Sequence, residues 1–378
     1  MKILIPTIDY PPIEGGIATV ALQTARELAA LGHEVTVVAP AFPDMAAFDA
    51  DEPYTVLRFP GYGLGYARLF GLFMKCRPLL RQTDLILAIN VAYGGIIGHA
   101  SARRLGKPVI NFAYAFEFLK FRNLYPMRLL LNRIYRCSHR TIAISNYTAH
   151  SLINFGAPAE KISVVRPGAS LRAPHPEDEL HRLRFKYEIF EKNVILAVGR
   201  FIPRKGHLKL VSAMPAILER EPHTQLVMVG RGPCHEECMK KAAALGIEHL
   251  VVCPGFVPQH ELDALYQMCT LFALPTGDDG KGQVEGFGLV YTEAHAWGKP
   301  VVAARSGGVT DAVKHNVTGL LVDGDDAAAL EQAILRILQD PALAQSLGEK
   351  GLQRVKDELN WAHFARRIVE IAPGGPPA

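Results

Sequence analysis

Residues 284–323, VEGFGLVYTEAHAWGKPVVAARSGGVTDAVKHNVTGLLVD, gather the side chains and turns from which a ligand site could be made. Two carboxylates, Glu285 and Glu293, are separated there by seven residues, and Gly286-Phe287-Gly288 follows the first. The glycines let a ligand approach the main chain closely. From Gly288 onward Leu289, Val290, Glu293, Ala294 and Trp297 recur at helical spacing, Gly298 stops the helix, and Pro300-Val301-Val302-Ala303 reads as a buried strand. Residues 286–289 therefore sit at a helix N-terminus, where free N–H groups and the macrodipole favour an anion. An ionised carboxylate only accepts hydrogen bonds, so beside an anion site it suits a ligand that also carries hydroxyls. The predicted chemistry is binding of a phosphate and a sugar together.

Two further runs fit that chemistry. Val194-Ile195-Leu196-Ala197-Val198 reads as a strand and leads through Gly199-Arg200 to Arg204-Lys205-Gly206. A guanidinium and an ammonium at the carboxyl end of a strand can neutralise a leaving diphosphate. At the start of the chain the strand 2–6 is followed by a turn-rich loop ending in Gly15-Gly16. An amphipathic helix comes next, with Val20, Ala21, Leu22, Leu28 and Leu31 as its apolar members. The glycine pair is not a G-x-G-x-x-G dinucleotide fingerprint, which counts against a dehydrogenase.

These runs resemble the donor-site signature of retaining glycosyltransferases with two Rossmann-like domains (the GT-B type), family 4 or glycosyl transferases group 1. The family's E-G-F-G stands here as 285–288, its E-A helix as 293–294, its G-x-P-V-V strand as 298–302, its G-G turn as 307–308 and its G-R…K-G element as 199–206. The resemblance runs from Lys2 to about Ile371. It implies an α/β fold of two Rossmann-like domains facing each other across a cleft. The expected division is an acceptor-side domain at 1–172, a nucleotide-sugar-binding domain at 190–357, and a helix at 358–372 crossing back to the N-terminal domain.

It also implies roles. Arg200, Lys205 and the Gly15-Gly16 turn, through the Gly16 amide, would hold the donor diphosphate. Glu285 with the amides of Gly286, Phe287, Gly288 and Leu289 would fix the sugar, and Glu293 would accept from the ribose hydroxyls. Arg200, Lys205 and Glu285 are the expected catalytic set. No metal and no cofactor are implied, only a nucleotide sugar such as a UDP- or GDP-sugar as co-substrate. On the acceptor side Tyr114-Ala115-Phe116-Glu117 matches an H-G-x-E run, with Tyr114 in the histidine position and Glu117 as the matching glutamate. A phenol donates a hydrogen bond but is no base at neutral pH. A front-face mechanism needs none there, because the leaving phosphate oxygen takes the acceptor proton. The substitution leaves a catalytically silent donor-binding protein as the alternative.

The elements that must position these residues alternate regularly. Strand patterns recur at 34–38, 84–88, 108–112, 141–145, 161–165, 225–230 and 250–256. Helical patterns fall at 94–105, at 207–218 and, toward the end, at 327–339, 342–356 and 360–371. Strand, glycine loop, helix and strand in succession imply parallel sheets. The polar, proline-punctuated stretch 174–179 reads as a linker, and the Pro/Gly-rich tail 372–378 as disordered.

With 378 residues the chain exceeds the about 250–300 at which single cores stop growing, so two domains are expected. At 49% hydrophobic and 21% charged it is a soluble globular sequence, and no run reaches the ~20 apolar residues of a membrane span. No signal-peptide core follows Met1, so a cytoplasmic location is expected. The six cysteines then read as free thiols; Cys234 and Cys238 share a helix face but lack a second pair for zinc. Residues 1–170 carry 18 Lys/Arg against 11 Asp/Glu (+7), leaving −3 for the remainder. The excess lies at 66–81 and 118–140, interleaved with large apolar residues such as Leu69, Phe70, Phe73, Phe118 and Phe121. That pattern fits either solvated faces of core helices or docking on an anionic membrane, here the inner face of the cell membrane. With no recognition module present, nucleic acid is not an expected partner. The expected function is transfer of a sugar from a nucleotide-sugar donor to a lipid-linked or cell-surface polysaccharide acceptor, with a small soluble acceptor as an alternative.

Overall fold

The computed structural model describes residues 1–60, 63, 65–277 and 284–374; of the tail expected to be disordered, 375–378 lie outside the described residues. The chain forms two compact units, one of Met1–Pro167 with the chain from Trp361 on, the other of Gly168–Asn360. Each unit is built on one parallel sheet. The first contains β1 (Lys2–Pro6), β2 (Glu34–Pro40), β3 (Thr55–Phe59), β4 (Leu85–Ala88), β5 (Val109–Ala113), β6 (Arg140–Ala143) and β7 (Ile162–Val164), ordered β3-β2-β1-β4-β5-β6-β7. The second contains β8 (Asn193–Val198), β9 (Thr224–Val229), β10 (Val251–Gly255), β11 (Leu271–Leu274), β12 (Val301–Ala304) and β13 (Gly319–Val322), ordered β10-β9-β8-β11-β12-β13. Both orders reverse direction beside the unit's first strand, between β1 and β4 and between β8 and β11. These are the switch points outside which open α/β sheets bind ligands.

The central strands are near-continuous apolar runs because helices cover both of their faces; β4, β5, β8, β9, β11 and β12 are buried at every position. Three strands escape a periodicity reading. These are β3, where Thr55 and Arg58 interrupt the apolar run, and the four-residue β11 and β13.

Residues 174–179 are not a free linker. Glu177–Lys186 is a helix with three acids in its first turn and Arg184 and Lys186 in its last, the distribution the macrodipole favours. Its Leu180 and Leu183 bury against Ala264, and Lys186 pairs with Glu261 at 2.6 Å. The second unit thus begins at Gly168 rather than at 190. At its other end, Ala169 N–H donates to the Leu359 carbonyl at 2.8 Å, and Gly168 lies against the Asn360 backbone where a Cβ would not fit. The helix Trp361–Glu370 packs on the helix Gly16–Ala30 of the first unit, with the Phe364 ring 6.1 Å from Phe112 of β5.

Candidate functional site

In the second unit the runs 199–206 and 285–308 fold into one cluster at the β8/β11 switch point. After β8 the chain passes Gly199-Arg200 and closes a single 3-10 turn, Pro203–Lys205. Gly206, at φ +76°, lies flush against the Pro275 carbonyl beyond β11. Gly277 N–H donates to the Arg204 carbonyl at 2.7 Å, tying the loop after β8 to the end of β11. Glu285 follows β11 in the chain. Its backbone carbonyl accepts from Gly308 N–H at 2.8 Å, and Gly307 packs so closely on that carbonyl that no side chain fits. This explains the glycine at 307. Gly288, at φ +91°, starts the helix Leu289–Ala296 and leaves room for the Tyr291 ring. The Tyr291 hydroxyl donates to the Leu274 carbonyl at 2.8 Å, so the helix N-terminus is pinned to the tip of β11.

The Glu285 carboxylate is 15% exposed, and its Oε2 accepts from Lys205 Nζ at 2.6 Å and Arg204 Nη1 at 3.0 Å. Burial pushes its pKa up, but the two cations overcome this and hold it at about 2. The carboxylate is therefore ionised at neutral pH, within a cluster whose net charge is about +1. Arg204 was not among the residues singled out from sequence, although it adjoins Lys205. Arg200, which was, has an exposed side chain and forms no ion pair with a described carboxylate. His207, one turn on, is buried and stacked on Phe201 with centroids 4.2 Å apart. Burial and the nearby Lys205 lower its pKa to about 4, so it adds bulk but no charge.

Phe287 and Gly288 are buried under the turn, while Gly286 and Leu289 are half-buried at the helix start. Glu293 lies one turn inside that helix and accepts from the Tyr266 hydroxyl at 2.9 Å through Oε2. Burial raises its pKa, and Tyr266 offsets part of that. Sequence reasoning missed Tyr266, which comes from another helix, Gln259–Met268.

In the first unit the candidate residues likewise follow the carboxyl ends of β1, β4 and β5. Gly15, at φ +139°, caps the helix Gly16–Ala30, and both glycines are exposed at its start. Across the β1/β4 switch point Asn90 Nδ2 donates to Asp9 Oδ2 at 3.1 Å, and Arg68 Nη2 donates to the Tyr93 hydroxyl at 3.0 Å. Asp9 and Asn90 were not read from the sequence, because a lone polar residue after a strand carries no pattern; Arg68 was read only as part of the basic run 66–81. Burial raises the Asp9 pKa, opposed by Asn90, Arg68 and Lys120. Beyond β5, Ala115 adopts φ +80°, turning the chain so that Tyr114 N–H donates to Glu117 Oε1 at 2.7 Å. Tyr114 and Glu117 are both buried, and neither the Tyr114 hydroxyl nor Glu117 Oε2 has a partner among the described residues. Burial drives the Glu117 pKa up to about 7, so this carboxyl titrates near neutrality.

The basic segments divide between the two expectations. In the helix Arg68–Cys76, Leu72 and Cys76 are core, whereas Phe70 is 71% exposed. In the helix Tyr125–Cys137, Leu131, Ile134 and Tyr135 are buried while Tyr125, Leu129 and Leu130 are exposed. Lys120 lies over the Phe116 and Phe121 rings, and Arg128 over Phe155. All six cysteines are free thiols, Cys238 buried and Cys234 half-buried on the helix His235–Ala244 and its cap. Among the described residues no group of three or more side chains could hold a metal ion, and no helix is long and apolar enough to cross a membrane.

Comparison with known proteins agrees with this arrangement. Residues 14–172 match the family described as Glycosyltransferase Family 4, and residues 181–354 the one described as Glycosyl transferases group 1. The GDP-mannose-dependent alpha-(1-6)-phosphatidylinositol monomannoside mannosyltransferase of Mycolicibacterium smegmatis is 32% identical over 98% of each chain. Its counterpart in Mycobacterium tuberculosis is 30% identical over 100% of this chain and 99% of its own. Among solved structures, Anabaena HepE in complex with UDP and glucose superposes with a TM-score of 0.81 at 22% identity, over 98% of both chains. The two family matches fall on the two parallel-sheet units and the mycobacterial likeness spans nearly the whole chain, so the protein belongs to family 4 of the glycosyltransferases and has the two Rossmann-like domains of the GT-B type.

Proposed function

We propose that this glycosyltransferase is a retaining, metal-independent hexosyltransferase. In this reading it uses a nucleotide sugar, GDP-mannose first among candidates, to glycosylate a lipid-linked acceptor carrying a phosphoinositol-type headgroup at an anionic membrane surface. The observation that carries it is the Arg204–Lys205–Glu285 cluster at the start of the helix Leu289–Ala296. One ionised carboxylate, two cations and a helix N-terminus at one switch point match a ligand that is part sugar and part diphosphate. The mycobacterial mannosyltransferases, alike over nearly their whole length, support the choice of donor and acceptor class.

In the reaction the bond from the anomeric carbon to the β-phosphate oxygen breaks and the acceptor oxygen bonds to the same face of that carbon. The acceptor proton passes to the departing phosphate oxygen. Lys205, Arg204 and the exposed Arg200 take up the charge growing on the diphosphate, which is the role a divalent cation fills elsewhere. Glu285 accepts from sugar hydroxyls, and Glu293, oriented by Tyr266, accepts from the ribose. In the first unit Asp9 and Asn90 suit acceptor hydroxyls, and Arg68 and Lys120 suit its phosphate. Cytoplasmic location with peripheral membrane attachment accompanies this reading. Its support is the exposed Phe70, Tyr125 and Leu129 among basic side chains.

The test is incubation of the purified protein with GDP-mannose or UDP-glucose and a mannosylated phosphatidylinositol acceptor, with product read by mass spectrometry and NMR. An α-linked product formed after chelation of metals is expected. A β-linked product overturns retention, and transfer only to soluble sugars overturns the lipid acceptor.

A further inference from the structure

The first unit contains a cavity of about 710 Å³ between the C-terminal ends of the helices Arg68–Cys76 and Ile96–Leu105. That is the size of a small-molecule site. Phe73, Leu80 and Leu105 give it apolar walls, and the exposed Arg77, Arg81 and Arg104 stand in its lining. No acidic residue lines it, and the chain contains none at 53–83 or 85–116. The two helix C-termini contribute about −0.5 charge each, so three guanidiniums leave a surplus of about +2. Ser101, 2% exposed, forms part of the cavity floor, with its hydroxyl oxygen buried beneath the surface.

The place of the cavity in the fold separates it from the substrate site. Arg81 and Leu105 lead into β4 and β5 at their amino ends, whereas Asp9, Asn90 and Tyr114 follow the carboxyl ends of β1, β4 and β5. The helix Ile96–Leu105 packs against the helix Tyr125–Cys137, whose outer surface exposes Leu129 and Leu130. On the other wall helix Met74, itself in the cavity lining, and Phe70, one turn before it, are exposed.

We propose that this cavity binds one anionic phospholipid, its phosphate on Arg77, Arg81 and Arg104 and its first acyl carbons against Phe73, Leu80 and Leu105. A free phosphate ion would leave the apolar walls empty, and a neutral lipid would leave three guanidiniums uncompensated. The site deepens the membrane association proposed above by giving it a saturable, stereochemically defined component.

The experiment uses lipid below its micellar concentration, so its outcome is independent of bulk attachment to vesicles and of sugar transfer. Dihexanoyl phosphatidylglycerol, dihexanoyl phosphatidylcholine and inorganic phosphate are titrated calorimetrically into the full-length wild type, the Arg77→Gln/Arg104→Gln variant and the cavity-filling Ala100→Trp variant. One-to-one binding of the glycerol lipid is expected, at least tenfold tighter than either other probe and at least tenfold weaker in both variants. Nucleoside diphosphate affinity and melting temperature should be unchanged in the arginine variant. Equal binding of phosphatidylcholine, equal binding of phosphate alone, or undiminished lipid binding by the well-folded arginine variant overturns the proposal. A loss of nucleotide binding in wild type would instead count against the proposed function.

Discussion

Lys205 Nζ lies 2.6 Å from Glu285 Oε2, although 80 positions separate the two residues in the chain. Arg204 reaches the same oxygen, so one carboxylate is shared by two neighbouring cations. Replacing either cation should leave Glu285 half-compensated in a mostly buried setting. Lys205→Ala and Arg204→Ala are each expected to lower turnover by about two orders of magnitude or more, with Lys205→Ala the more severe. Steady-state kinetics on variants with wild-type circular dichroism checks this; near-normal kcat in both would exclude them from the reaction.

The same cluster has an acid signature. Because the Glu285 pKa is depressed to about 2 from 4.5, its contribution to stability is full above 4.5 and disappears as pH falls through 2. Glu285→Gln should flatten the dependence of unfolding free energy on pH across that window. Denaturant melts at pH 5, 4 and 3 read it directly, and parallel curves for wild type and variant would contradict the pairing.

Glu117 predicts the opposite slope near neutrality. Its pKa is raised by burial to about 7, so the stability present below 4.5 is lost as pH rises through 7. Glu117→Gln keeps an acceptor for Tyr114 N–H and removes the ionisation. The variant should melt higher than wild type at pH 8 and close to it at pH 5, by an energy of order 1–3 kcal/mol. Scanning calorimetry at the two pH values decides it, and a lower melting point at pH 8 would count against a buried, titrating carboxyl.

Tyr266 orients Glu293 through one hydroxyl. Tyr266→Phe and Glu293→Gln are both expected to weaken nucleoside diphosphate binding several-fold while changing kcat at saturating donor by less than threefold, since a bond to ribose serves ground state and transition state alike. Calorimetric affinities unchanged in both variants would remove the ribose from Glu293.

Asp9 and Asn90 bridge the switch point of the first unit at 3.1 Å. Asp9→Asn should raise the acceptor KM about tenfold or more and leave nucleotide affinity alone, as loss of a charged hydrogen-bond acceptor to a hydroxyl does. An unchanged acceptor KM would place the acceptor elsewhere.

Much of this arrangement was legible in the chain. Apolar runs gave β1, β2, β4 to β10 and β12, and the glycines at 288, 298 and 307 marked turns. The helix at 289–296 followed from spacing, because a helix start is a local event set by a few consecutive residues, while the roles given to Glu285 and Glu293 came from the resemblance of the run around them. What the tertiary structure decided was which side chains meet. That Arg204 joins Lys205 on Glu285, that Tyr266 bonds Glu293 and that Asn90 bonds Asp9 are consequences of strand order, which brings the ends of β1 and β4, or β8 and β11, side by side. The helix Glu177–Lys186 likewise took shape only where Leu180 and Leu183 found Ala264 to cover. Local pattern fixes the period and the turns, whereas contacts between residues tens of positions apart depend on loop closure and packing that no short window of sequence encodes.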